Sequence, residues 1–277
     1  MGARGIRRYF GVMAALASLA LGACSAPQPA IIEIVAHDLS FEIPDAVPAG
    51  LVRLQLTNQG NQAHAAQLYR LNGGVDLDRF KTAMRQGIST ERLIATSMGG
   101  PANVDRGETG PVVEMVLAPG NYLVVCWLLD SGGTPHAFLG MVHPFEVVGE
   151  AEDTSLASPE ATFELTEYEI RVPEGFDGSG TFGVVNGGSE WHELILLQID
   201  EEQDPEAALT HLAGTTQRFP VPYANRGGIS ALESEGGEGR VDLDLEPGRY
   251  LVACAIPTDF GVYHATLGMW AEIAIEE

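Results

Sequence analysis

The sequence predicts an all-β protein: two tandem copies of one strand-rich domain, each with a short helical insert. Three observations carry this reading. A sixteen-residue stretch, Cys126 to Met141 (CWLLDSGGTPHAFLGM), recurs 128 residues later as Cys254 to Met269 (CAIPTDFGVYHATLGM). Short runs of β-branched and aliphatic residues are separated by turns drawn from 33 glycines and 16 prolines, a pattern that points to sandwiches or Greek-key barrels. At 277 residues the chain is long enough for two cores.

The amino terminus does not belong to that plan. Arg4, Arg7 and Arg8 precede an apolar run from Val12 to Leu21 and then small residues, the layout of a secretory signal. The run is too short to span a bilayer as a mature helix. Leu21-Gly22-Ala23-Cys24 resembles the lipobox of bacterial lipoproteins. Residues 1–23 are therefore expected to be removed and Cys24 acylated, giving an exported, membrane-anchored lipoprotein of the periplasm or cell surface. Ordinary cleavage after Ala26 is the alternative.

The first domain is expected over residues 30–148. IIEIVAHDLSFEI and VPAGLVRLQLTN read as strands, the second with Val52, Leu54 and Leu56 on one face. The turn NQGNQAH leads to His64 and the strand AQLYRL. VDLDRFKTAMRQG suggests a helix stopped near Gly87, and STERLIATSM a second short one. GGPANVDRGETG is loop, and the strands VVEMVL, YLVVC and MVHPFEVV complete the unit. Residues 149–159, polar and acidic, form a linker. The second domain, 160–277, repeats the plan with FELTEYEIRV, GTFGVVN, ELILLQI, VDLDL, YLVAC and MWAEIAI. Asp204-Pro205 supplies an N-cap and first turn for the helix DPEAALTHLAG.

The chemistry lies in the repeated residues. Cys126, His136 and Met141 recur as Cys254, His264 and Met269, and the upstream His64 recurs as His192, all 128 apart. Exported proteins meet an oxidising compartment, so two thiols there need an explanation. A disulfide between the halves, or two buried unpaired cysteines, would each explain them. Neither accounts for a histidine and a methionine at matching distances after both, whereas metal ligation does. Two imidazoles, a thiolate and a weak thioether form the ligand set of a blue-copper electron-transfer site. Such a site holds nearly the same geometry for both copper states, so little rearrangement opposes electron transfer.

Each half resembles a cupredoxin, the plastocyanin and azurin family. The likeness rests on Asn58 with His64, then Pro119-Gly120-x-Tyr122 running into Cys126, His136 and Met141. In the second half it rests on Asn186 with His192, Pro247-Gly248-x-Tyr250, Cys254, His264 and Met269. It implies Greek-key β-sandwich, cupredoxin-like domains with one copper each. The ligands would be His64, Cys126, His136 and Met141, and His192, Cys254, His264 and Met269. Asn58 and Asn186 would fasten the upstream histidine loop to the ligand loop. One departure stands out: nine residues separate cysteine from histidine in both halves, against two to four in small cupredoxins.

Without its leader the chain carries 12 Lys+Arg (15 less three) against 38 Asp+Glu, a net charge of −26. That excludes nucleic acid as a partner and suits a basic redox partner protein, or is simply a solvated surface. Multicopper oxidases and copper nitrite reductases repeat the same domain and add histidines beside the cysteine or in His-x-His pairs. Here Val125 and Ala253 precede the cysteines, and His37, His143 and His211 are not repeated at 128. The expectation is thus an electron-transfer protein and not an enzyme, with copper storage or delivery and a metal-free scaffold as alternatives.

Overall fold

The computed structural model describes residues 1, 28–151, 155–156, 158–214 and 221–276. The leader with Cys24, and part of the linker, lie outside the described residues. The first half contains β1 (Ile31–His37), β2 (Ser40–Glu42), β3 (Ala46–Pro48), β4 (Gly50–Asn58), β5 (Gln67–Leu71), α1 (Leu77–Met84), α2 (Ile88–Glu91), β6 (Ala95–Gly99), β7 (Val113–Leu117), β8 (Gly120–Val125) and β9 (Val142–Val148). The second contains β10 (Ala161–Thr166), β11 (Glu169–Arg171), β12 (Ser179–Asn186), β13 (His192–Ile199), α3 (Pro205–Leu212), β14 (Ala224–Leu232), β15 (Gly237–Asp244), β16 (Gly248–Ala253) and β17 (Trp270–Ile275). The repeat holds to the residue for α1 and α3 (205−77 = 128) and for β8 and β16 (248−120 = 128).

The strands form two sheets, and both run through the two halves. One has the order β11-β10-β12-β15-β7-β4-β1-β2, the other β17-β16-β13-β14-β6-β5-β8-β9-β3. Their facing sides enclose one core in which Ile34, Leu54 and Leu56 meet Leu68 and Val124, and Phe163 and Val184 meet Leu194 and Val252. β4 alternates strictly between buried and half-buried positions because only one of its faces meets that core. β8 and β16 are buried along YLVV and YLVA instead, because helices and loops cover the outer face of their sheet. Asp76 caps α1 through Arg79 N, and Asp204 caps α3 ahead of Pro205 at its first turn. Tyr122 Oη donates to Ala118 O at 2.8 Å and Tyr250 Oη to Glu246 O at 2.7 Å. Each pins the Pro-Gly turn that feeds a ligand-bearing strand.

The halves join by pairing like with like. Pro101 bridges Ile229 (229−101 = 128) in one sheet, and Val113 pairs with Val241 (241−113 = 128) in the other. Each segment therefore meets its own repeat, antiparallel, as across the two-fold axis of a homodimer. Ser230 N donates to Gly100 O at 2.8 Å and Ala102 N to Gly228 O at 3.3 Å, a symmetric exchange. Side chains extend the seam. Asn225 binds Asp105 through Nδ2 (2.6 Å) and its backbone N (2.9 Å), and Arg53 reaches both Glu114 (3.0 Å) and Asp242 (3.2 Å).

One expectation about elements is corrected, and one strand was missed. The stretch STERLIATSM is not a second helix throughout: only Ile88–Glu91 is helical, and Ala95–Gly99 is a strand. That strand is held by pairing to β5 (Tyr69↔Ser97, Leu71↔Ala95), which outweighs local preference. Strand β14 was not anticipated, since ANRGGISAL reads as polar and glycine-rich, yet it pairs with β13 along its length.

Gly100 and Gly228, whose carbonyls accept the hydrogen bonds across the seam, are also packed tightly against a neighbouring strand segment of their own half. Their φ angles are +127° and +119°, and a Cβ there would collide with the carbonyl oxygens of Ala66 and Leu194. Gly100→Ala or Gly228→Ala is expected to cost at least about 2 kcal/mol. Gly74→Ala, with φ +78° but open space around it, should cost about 1 kcal/mol. Chemical denaturation of the three variants checks this order.

Candidate metal centres

Each half brings one thiol and two imidazoles to a single point. His64, Cys126 and His136 place their donor atoms within 4.8 Å of one another, as do His192, Cys254 and His264. All six side chains are fully buried. Cys126 Sγ lies 3.7 Å from His64 Nδ1 and 3.4 Å from His136 Nδ1. In the second half the corresponding distances are 4.0 and 3.5 Å, and the two Nδ1 atoms are 3.1 Å apart. Metal bonds of about 2.0–2.3 Å to nitrogen and sulfur place such donors roughly 3–4 Å apart, so each triangle fits one ion.

Local folding explains how the donors meet. Each cysteine ends a strand, Cys126 after β8 and Cys254 after β16. The nine residues that follow do not open the site, because they fold into a small hairpin. Leu129 bridges Pro135, and Asp130 Oδ1 accepts from Gly132 N and Thr134 N, both at 2.8 Å. Pro257 bridges Tyr263, and Thr258, at the repeat position of Asp130, accepts from Phe260 N and Val262 N. The hairpin returns the chain so that Ala137 N donates to Cys126 O and Ala265 N to Cys254 O, both at 2.8 Å. A 3-10 turn carries each histidine and closes on Gly140 (φ +113°) or Gly268 (φ +102°). That places Met141 and Met269, both fully buried, beside the cysteines, with Cys126 N donating to Met141 O at 3.2 Å and Cys254 N to Met269 O at 3.1 Å. The upstream histidines sit at the seam: His64 bridges Val104, and His192 pairs with Leu232 of β14.

Asn58 and Asn186 hold the histidine loops, but not by the expected route. Asn58 Nδ2 donates to Gln62 O (2.7 Å) and Val104 O (2.9 Å), and its Oδ1 accepts from Gly60 N. Asn186 repeats this with Glu190 O, Leu232 O, Glu233 O and Gly188 N. These bonds tie the histidine loop to the segments at Val104 and Leu232–Glu233. The link to the cysteine is a backbone one that sequence reading missed: Ala65 N and Glu193 N each point at the following cysteine sulfur, at 3.5 Å. A backbone donor carries no residue signature. Also missed were the groups at the outer imidazole nitrogens. His136 Nε2 lies 3.4 Å from Gln62 Oε1, and at the repeat position His264 Nε2 lies 2.9 Å from Glu190 Oε2. His64 Nε2 lies 3.5 Å from Asp38 Oδ1. The His136–Gln62 contact meets hydrogen-bond geometry and favours the proton on Nε2, leaving Nδ1 free to bind, whereas His64 and His264 Nε2 face a carboxylate without a hydrogen bond. Of the unrepeated histidines, His37 pairs with Glu42 at 3.0 Å and His211 Nδ1 lies 3.2 Å from Tyr223 Oη.

Burial sets the charge state. It lowers His64 and His192 to about 4, each further depressed by the neighbouring imidazole, and it lowers His136 and His264. It pushes the Cys126 thiol up to about 11, and Cys254 up as well. Neutral imidazoles and a buried thiol form a soft donor set, one that is completed by a cation able to bind thiolate. Cys126 and Cys254 are free, not bridged to each other. The donor chemistry is that of copper, one set in each half.

No protein-family model matches the sequence, and no curated protein matches it. Solved structures do. Auracyanin from Roseiflexus castenholzii matches 43% of this chain and 97% of its own, at 17% identity and TM-score 0.30. A multicopper oxidase matches 88% of each chain, at 13% identity and TM-score 0.26. Copper nitrite reductase from Nitrosomonas europaea matches 89% of this chain and 93% of its own, at 14% identity and TM-score 0.24. The two-sheet architecture and the repeated His-Cys-His donor set agree with the cupredoxin-like fold expected of each half. The expectation that the chain is not an enzyme is corrected: the structures that match most of its length are a multicopper oxidase and a copper nitrite reductase. Among the described residues no helix is long and apolar enough to cross a membrane.

Two outcomes follow for the metal-free protein. At pH 8 copper uptake should release about one proton per centre, from the thiol, since the imidazoles are already neutral; calorimetry in two buffers of different ionisation enthalpy measures it. His64 and His192 have folded values near 4 and about 6.5 when unfolded. The unfolded chain therefore binds protons first as pH falls. Stability should be full above about 6.5 and be lost on descending towards 4, seen as a falling Tm across that window.

Proposed function

We propose that this chain is an exported, lipid-anchored copper protein whose two type 1-like centres pass single electrons. The observation that carries the reading is the convergence of Nδ1, Sγ and Nδ1 in a fully buried pocket, twice over. Cys126 and Cys254 would supply the thiolates, and His64, His136, His192 and His264 the equatorial nitrogens. Met141 and Met269 would supply weak axial sulfurs. Copper bound there would contribute a reversible one-electron couple.

The protein's own contribution is rigidity and exclusion of water. Hairpins closed by Asp130 and Thr258 hold cysteine and histidine at fixed separation, so little nuclear rearrangement accompanies a change of charge. Backbone N–H groups of Ala65 and Glu193 point at the sulfurs and favour the thiolate over the thiol. The turns that carry His136 and His264 leave Phe138, Leu139 and Leu267 exposed, a short apolar rim at which a redox partner can approach. The acidic surface suits a basic partner, and association should then slow as salt is raised.

Copper reconstitution with visible and paramagnetic spectroscopy tests the reading. Two thiolate–copper centres per chain are expected, and Cys126→Ser and Cys254→Ser should each remove about half of the thiolate signal. Repeated reduction and oxidation should leave the copper bound. Loss of copper on reduction would identify storage or delivery, and failure to hold stoichiometric copper a metal-free module.

A further inference from the structure

Three aromatic side chains at the seam break the repeat. Tyr69, Trp127 and Trp191 correspond, at the 128-residue offset, to Leu197, Ala255 and Ala63. The fold does not demand rings at these places, since leucine and alanine complete the same architecture in the other copy. In space the three rings meet. Trp127 Nε1 donates to Tyr69 Oη at 2.9 Å, and the Tyr69 and Trp191 rings lie 5.6 Å apart between centroids at 46°. Trp127 is the residue after Cys126, and Trp191 the residue before His192. One donor set is thus joined to the other by covalent bonds, one hydrogen bond and one ring contact.

The surroundings hold this line in place. Trp191 Nε1 donates to Glu233 Oε1 at 2.9 Å, and the Arg92 guanidinium sits 5.4 Å from the Trp191 ring. Tyr69 and Trp191 are buried, Tyr69 also packing on Phe80 at 5.2 Å. Burial and the nearby Glu91 raise the Tyr69 phenol well above its ordinary value, so it keeps its proton. Tunnelling probability falls exponentially with distance, and far less steeply along bonds and hydrogen bonds than across gaps. A bonded line of rings across the seam carries such coupling farther than a gap of the same length.

Building on the two-centre copper reading, we propose that Trp127, Tyr69 and Trp191 form a relay across the seam that couples the two centres electronically. One centre is oxidised by one electron and the other reduced by one; no proton moves and no ring is left oxidised. The repeat also makes the centres unequal. Glu190 stands 2.9 Å from His264 Nε2 where Gln62 stands 3.4 Å from His136 Nε2. A carboxylate in place of an amide favours the more positive state of the second centre. Asp38, 3.5 Å from His64 Nε2 in the first centre, and Arg92, 3.9 Å from Glu190 in the second, act in the opposite sense, so the direction of transfer follows from the balance of these charges.

Pulse radiolysis of the copper-loaded full chain tests this, in a Met141→Gln background that shifts the first centre's thiolate band so that both can be followed; the axial ligand also tunes potential, so transfer is followed in either direction. After a brief reduction one centre should re-oxidise while the other is reduced, at a rate independent of protein concentration. Tyr69→Phe, which removes the hydrogen bond and keeps the ring, should slow that step several-fold. Trp191→Leu should slow it further, and the double variant should fall short of the product of the two effects, as for residues on one line. Phe80→Leu, which loosens the same cluster away from the line, should leave the rate unchanged. Intact thiolate–copper absorption in every variant with the parent rate in Tyr69→Phe and Trp191→Leu overturns the relay and leaves the copper centres standing. Equal slowing by Phe80→Leu also overturns it, by reducing the effect to packing. Absence of the thiolate–copper absorption in the parent overturns the copper reading and the relay together.

Discussion

The structure depends on a thiol buried between two imidazoles with no charged partner among them. Cys126 and Cys254 are wholly removed from water, and burial is the largest cause that raises both thiols and lowers all four histidines. Left to themselves these groups add a polar cost to the core. A cation converts that cost into strong bonds, and the remaining local architecture serves to keep the three donors apart by the right amount. The hairpins, the 3-10 turns and the glycine at the end of each turn all return the chain to the cysteine carbonyl.

The seam is the second organising fact. Because segments of the two halves pair with their own repeats, at Pro101/Ile229 and Val113/Val241, the two pockets are brought up to a shared boundary, one in each half. His64 and His192 lie one strand from it. The same boundary encloses a cavity of about 850 Å³ whose wall includes Tyr69, Trp127, Trp191, Glu91 and Glu193. Burial raises Glu91 to about 8 and Glu193 to about 7. Symmetry is kept where the donors are made and abandoned where the halves face each other: Gln62 against Glu190, Ala65 against Glu193, Trp127 against Ala255. Duplication fixed the chemistry, and divergence made the two copies unequal.

Much of this was legible in the residues. The donor set repeats at one offset, and three of its members are confined to sixteen residues, so chain geometry brings them together; strand alternation in β4 and the cap Asp204 are equally local. What escaped is non-local or leaves no residue signature. Strand β14 reads as a polar loop until β13 and the seam are seen to pair with it. Self-pairing of the halves depends on backbone hydrogen bonds, and so do the N–H groups of Ala65 and Glu193. Asn58 and Asn186 were picked out by the resemblance, yet their bonds run to the segments at Val104 and Leu232–Glu233. Setting an enzyme aside on a missing histidine pair overread an absence.

The most direct measurement is copper X-ray absorption on the reconstituted full chain at two equivalents. The account predicts a single class of environment for both ions, with about two imidazole nitrogens and one short sulfur per copper. A shell of oxygen and nitrogen alone, as from carboxylates on the acidic surface, would contradict it.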